Sequence, residues 1–190
     1  MDRSSPSSAA ALSAQGERAW WLRTALVLQA PRPVFAALRA DDRDSAANRS
    51  EPVLLIVLLA GMALAIASAA STNYSGLNLA VWIFLAGGMT GIAAYWAFGA
   101  LLYGSARVLG SQGSYRRARH VLAFASTPLA LSLVVAPAGR HVFTTAWLAF
   151  VAWAAVLLVV GVQAVHGWTW PRAAAAAAVP VGVAALLTLL

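Results

Sequence analysis

The chain has 190 residues, of which 61% are hydrophobic and only 10% charged, and its mean hydropathy is +0.75. A soluble domain carries about 25% charged residues, so this composition excludes a water-solvated globule and implies one integral membrane domain. There is no cysteine, which removes disulfides, thiolate metal sites and cysteine nucleophiles.

The elements follow in chain order. Residues 1–16 are small and polar and are expected to be a disordered N-terminal tail. They lack the basic start and apolar run of a secretory signal. Residues 17–50 form a cytoplasmic interfacial segment and linker. Within it, 17–28 reads as a helix lying on the membrane: Glu17 suits a helix start, Trp20 and Trp21 favour the headgroup layer, and Arg18 and Arg23 reach anionic lipid. Pro31 and Pro33 are expected to break that helix, with a second short one from Val34 to Arg39 and a polar linker after it. Asp41, Asp42 and Asp44 belong to this linker as solvated charges.

Residues 51–190 contain five apolar runs, at about 53–70, 79–104, 121–138, 142–165 and 173–190. Each is continuously apolar rather than alternating, which predicts helices and not a barrel. Ser50 at an N-cap and Pro52 in the first turn open the first. Gly87 and Gly91 in the second permit close helix approach, with packing inside the bundle preferred over a dimer seam. The third carries Pro128, which predicts a kink with Ser126 or Thr127 serving the freed carbonyls. A re-entrant hairpin is the alternative for that segment. The fifth holds Pro180, and Trp168 and Trp170 precede it as an interfacial belt beside Arg172. The fold class is therefore all-α: a polytopic bundle of five transmembrane helices behind short interfacial helices.

Charge sets the orientation. All thirteen basic residues are arginine, and all six acids lie at or before Glu51. A basic excess often marks nucleic-acid binding, but here the arginines flank apolar runs, and no nucleic-acid partner is expected. With the N-terminus inside, Arg140 is the one arginine of the thirteen left outside, as the positive-inside rule demands. That predicts a multi-pass plasma-membrane protein with a cytoplasmic N-terminus and an external C-terminus. Alanine, arginine and glycine in abundance without lysine suggest a GC-rich bacterial genome.

Three features carry a resemblance: five crossings after an amphipathic leader; the stretch Gly110-Ser111-Gln112-Gly113-Ser114-Tyr115-Arg116-Arg117 leading into a helix with Pro128 in its first half; and Gly161-Val-Gln-Ala-Val-His166-Gly167 closing the fourth run. In their order and spacing these resemble the bacterial branch of the Yip-one domain family (Ypt/Rab-interacting membrane proteins), over roughly residues 25–190. The resemblance implies a five-helix membrane domain. Eukaryotic members bind lipidated Rab-type GTPases in vesicle trafficking. Their acidic-Leu-x-Gly-Pro element is missing here, with Glu51-Pro52 as its faint counterpart.

Chemistry is scarce. No carboxylate follows residue 51, so the membrane part offers no ion-coupling group, no paired carboxylates and no acid for a Ser-His-Asp triad. Without lysine there is no phosphate-binding P-loop. His120 and His166 fall on one side of the membrane and His141 on the other, a poor ligand set. No enzyme activity, metal or cofactor is expected. The remaining signal is Arg107, Arg116, Arg117 and Arg119 with Tyr115, a basic loop suited to anionic headgroups or a partner protein. The expected function is a non-enzymatic scaffold or adaptor acting through lipid and protein contacts. The alternatives are a passive permease or transport-complex subunit and, third, a lipid-handling protein.

Overall fold

The computed structural model describes residues 19–39, 46–47, 49–68 and 76–189. The expected tail at 1–16, Arg18 and the Asp41–Asp44 cluster lie outside the described residues. Two short helices come first, α1 (residues 19–26) and α2 (Pro31–Ala37). The prolines open α2 rather than merely ending α1. Pro31 takes the first helical position, where the missing N–H has no intrahelical partner to lose and φ is already helical.

Five long helices follow: α3 (Ser50–Ser68), α4 (Gly76–Val108), α5 (Tyr115–Ala138), α6 (Arg140–His166) and α7 (Trp170–Leu189). Each contains a stretch long and apolar enough to cross a membrane, and no strand occurs among the described residues. The start of α3, the end of α4, the start of α5, the end of α6 and the start of α7 meet at one end of the bundle. Contacts there join Arg49 to His120, Ser111 to His166 and Arg172 to Leu109. This end carries the arginines and is called the basic end below. Large apolar side chains such as Phe84, Met89 and Leu148 point outward, which suits lipid rather than water.

The helices run past the apolar stretches at the basic end because caps stop them, not loss of hydrophobicity. Ser114 accepts a hydrogen bond from the Arg117 N–H at 3.1 Å and so starts α5 at Tyr115 instead of near residue 121. Gly167, at φ +67°, ends α6 in the left-handed conformation that glycine adopts without penalty.

A glycine seam joins α3 to α4. A Cβ on Gly61 would stand 2.7 Å from Gly91 Cα, and one on Gly87 would stand 2.9 Å from Met62 Cα. Only backbone against backbone fits there. Gly87 and Gly91 are thus intramolecular packing residues, and Gly61 is their partner on α3. A π-helical turn, Ile83–Gly87, precedes the contact. Since α3 and α4 are antiparallel, this pairing sets Ser50 level with about residue 98. Yet α4 has 33 residues, roughly 50 Å at 1.5 Å each, against a hydrocarbon core of about 30 Å. Its last turns therefore project beyond the first residue of α3.

The third span is broken. An α-helix to Ala125 gives way at Ser126 to a short one, Thr127–Leu131, and then to a 3₁₀ stretch, Ser132–Ala138. Pro128 lacks the N–H that would bond the Phe124 carbonyl, and Thr127 Oγ1 donates to that carbonyl at 2.8 Å instead. Pro180 raises the same problem in α7. It frees the carbonyl of Ala176, which Ser105 Oγ of α4 serves at 2.7 Å. From His120 at the basic end, eleven α residues, the turn at Ser126 and seven 3₁₀ residues span at most roughly 32 Å. This segment is long and apolar enough to cross a membrane despite its break.

Candidate functional site: the basic end

The arginine patch read from sequence is not a loop and not one patch. The loop is 109–114, and Arg116, Arg117 and Arg119 occupy the first turns of α5. Because residues 117 and 119 point to different faces of a helix, they separate. Arg117 turns into the bundle, where its Nη2 donates to the Arg39 carbonyl at 3.0 Å. Arg119 lies outward across α4, its guanidinium 3.6 Å from the Trp96 ring centre, 4.8 Å from Tyr115 and 5.1 Å from Tyr95. Arg107, near the end of α4, stands 5.8 Å from the Tyr103 ring, and Tyr103 meets Tyr115 edge-on at 5.8 Å. Arg116 is half-buried.

Three further arginines organise this end, and none stood out as a site residue in the sequence. Arg39 donates through Nε and Nη2 to the Ala164 carbonyl, at 3.0 and 2.6 Å. Arg172 donates through Nε and Nη2 to the Leu109 carbonyl. Both acceptors sit in the last turn of a helix or just past it, where carbonyls lack intrahelical partners and the dipole is negative. Arg117 does the same for the chain leaving α2. Arg49 is 0% exposed. Its Nε donates to His120 Nδ1 at 2.6 Å, and its guanidinium lies 5.5 Å from the Trp20 ring. The available signal was position: Arg39, Arg117 and Arg172 each lie within a turn or two of a helix end.

The interfacial anchors also divide. Trp20 is only 4% exposed and packs on Phe124 at 5.6 Å, with Arg23 4.7 Å from its ring. It is a core residue, not a headgroup anchor, because α1 rolls that face onto α5. Trp21 and Trp170 are exposed, as an interfacial position requires. Trp168 is half-buried, stacked on His166 at 4.6 Å with Arg172 on it at 4.4 Å.

Ser111 and His166 form a pair that the sequence reading missed, with Oγ and Nδ1 3.3 Å apart. Ser111 also accepts from the Gly113 N–H at 3.0 Å. The pair lines a small cavity with Ser114, Arg117, Val121 and Val162. Arginines surround it and Ser111 is buried, so its evident effect is to pin the 109–114 loop to α6. Among the described residues no three His, Cys, Asp or Glu side chains group as a metal site requires. His120 and His166 belong to separate contacts, and His141 lies at the opposite end.

This arrangement is five apolar crossings, with α1 and α2 folded against the end where the loops meet. A family model of the Yip1 domain matches residues 25–190. The chain belongs to the Yip1 domain family. No curated protein and no solved structure matches it significantly. The matched region begins at residue 25, at the very end of α1, so α2 is part of the Yip1 domain. Burial agrees for α2 and its flanks: Val27, Val34, Phe35 and Leu38 sit in the core shared with α5 and α6. The protein is a multi-pass Yip1 domain membrane protein.

Proposed function

We propose that this Yip1 domain protein is a non-enzymatic membrane scaffold or adaptor that presents its basic end to a protein partner. Its N-terminus is cytoplasmic, its C-terminus is external, and its home is a bacterial inner membrane. The observation that carries the reading is the raised, stiff platform at that end. The final turns of α4 project past the start of α3, and the loop after them is held by Arg172 on Leu109 and by Ser111 on His166. At its crest Val108 is 88% exposed, an apolar side chain where hydrocarbon no longer surrounds the helix. Preorganised surfaces bind with less ordering cost.

The platform supports a scaffold better than a permease. A permease needs polar groups open at the midplane, but Ser126, Thr127 and Ser132 each donate to a carbonyl of their own helix. Thr90 faces outward. The orientation rests on charge, since among the described residues Arg140 is the one arginine at the end of the bundle away from the basic end.

Photo-crosslinking residues placed at Val108 and Gln112 in native membranes test the reading. A discrete protein adduct is expected at one or both positions. Adducts to lipid alone would overturn the scaffold role. A C-terminal reporter active only in the cytoplasm is expected to stay silent, and its activity would overturn the orientation.

A further inference from the structure

We propose that the outer face of α4 and α5 at the basic end binds the phosphodiester of one anionic phospholipid, gripped by Arg119 on its aromatic shelf. The proposal deepens the scaffold reading by naming the lipid contact, and it rests on that reading only for the membrane setting.

Depth comes first. The glycine seam sets Ser50 level with about residue 98 of α4. A Cβ on Gly99 would lie 3.3 Å from Arg119 Cα, which puts Arg119 at the same height. Arg49 and His120 are bonded there too. Three segments, the starts of α3 and α5 and the later part of α4, thus leave the hydrocarbon near one plane, with Arg119 at the boundary where phosphates begin. Trp96, 49% exposed, marks the boundary on the outer surface.

The shelf is prebuilt. Tyr115 Oη donates to the Trp96 carbonyl at 2.7 Å. Trp96 and Tyr115 stand 6.1 Å apart, and Tyr95 meets Trp96 edge-on at 6.0 Å. Gly99 is the opening through which Arg119 reaches it, since any Cβ there would strike the arginine side chain. A guanidinium lying face-down on aromatic rings keeps its N–H groups in the plane, and with Nε buried it is the two Nη groups that offer the parallel bonds a phosphate takes.

Charge then selects the occupant. The guanidinium of Arg119 packs on aromatic rings, its stem passes over Gly99, and its buried Nε, like that of Arg117, has no hydrogen-bond partner among the described residues. Arg39, Arg117 and Arg172, by contrast, each donate to carbonyls. The chain has no carboxylate after Glu51. A cation at this depth needs an anion, and the anion at hand on a lateral face is a lipid phosphate. Arg107, exposed at the other end of the Tyr103–Tyr115 pair, adds a second positive charge.

The test uses the full chain in nanodiscs of phosphatidylcholine with increasing phosphatidylglycerol. Native mass spectrometry counts retained lipid, and melting in pure phosphatidylcholine confirms folding. The wild type is expected to retain phosphatidylglycerol selectively. Arg119→Lys is expected to weaken it about tenfold, since charge remains and the fork is lost. Gly99→Ala is expected to do likewise while leaving every charge in place. Arg32→Gln, an exposed arginine on α2, is expected to change retention less than about twofold. Full retention by Arg119→Lys, or equal loss in Arg32→Gln, would overturn the site in favour of diffuse attraction. Displacement of the lipid by inorganic phosphate would overturn its assignment to lipid. Crosslinks at Val108 report on the scaffold role separately: their loss with lipid retention intact counts against the scaffold and not against this site.

Discussion

The two ends of the bundle are built from different bonds. At the basic end, arginines reach between elements: Arg39 from α2 to α6, Arg172 from α7 to the end of α4, Arg117 from α5 to the end of α2. At the opposite end, bonds within a single helix are seen among the described residues. Thr144 and Thr145 donate to the His141 carbonyl, and Ser68 donates to the Ala65 carbonyl. An inter-element bond couples two bodies, whereas an intrahelical one only trims a helix end. The difference teaches where this fold invests its rigidity. The basic end is tied across elements, and those ties hold a shaped surface.

The largest test removes the coupling at the basic end. Arg39→Ala with Arg172→Ala deletes two charge-assisted ties to helix-terminal carbonyls. Hydrogen bonds to charged groups contribute about 1.5–3 kcal/mol each, and partial exposure lowers that, so the pair is expected to cost about 2–3 kcal/mol. Thermal melting in a lipid mimic measures the loss. Faster hydrogen exchange is expected in 109–114 and in α2, with none near residue 139. Uniform loosening at both ends would break the comparison.

How much of this was legible beforehand depends on how local each signal is. A span is announced by its own run of apolar residues, so five crossings and the α class could be read from composition and period. Pro128 and Pro180 also announce themselves, because a missing N–H is a property of one residue. The partners are not local. Nothing near Ser105 in sequence says that it faces Ala176, and Gly61 shows its role only opposite Gly91. The same limit applies to the arginines. Sequence set Arg107, Arg116, Arg117 and Arg119 in one patch, but helix geometry sends Arg117 inward and Arg119 onto Trp96. Trp20 read as an anchor because tryptophan favours interfaces, and the packing of α1 on Phe124 overrode that preference.

A smaller test sharpens the comparison within one bond. Ser105 serves the carbonyl that Pro180 frees. Ser105→Ala alone is expected to cost about 1 kcal/mol, the usual net value of an intramolecular hydrogen bond. In a Pro180→Ala background the helix supplies its own N–H to Ala176, and the same substitution should cost almost nothing. The double-mutant cycle reads the coupling directly. A cost that is equal in both backgrounds would mean that Ser105 acts through packing and not through that carbonyl.

The smallest expected effect lies at the opposite end. His141 opens α6 on an exposed surface, and its backbone carbonyl, not its ring, accepts from Thr144 and Thr145. His141→Ala removes the ring and leaves both bonds in place. Exposed substitutions that break no specific contact usually fall within about 0.5 kcal/mol of neutral, and that is the expectation here. Thr145→Ala provides the harder version, since it removes a bond, but one that couples no second element. It too is expected to remain below about 1 kcal/mol and to leave exchange at the basic end unchanged. The informative measurement is therefore hydrogen exchange in 109–114 for both variants. If either substitution loosened that loop as Arg39→Ala with Arg172→Ala does, the two ends would be one cooperative unit. The division of labour drawn from their bonds would then fail.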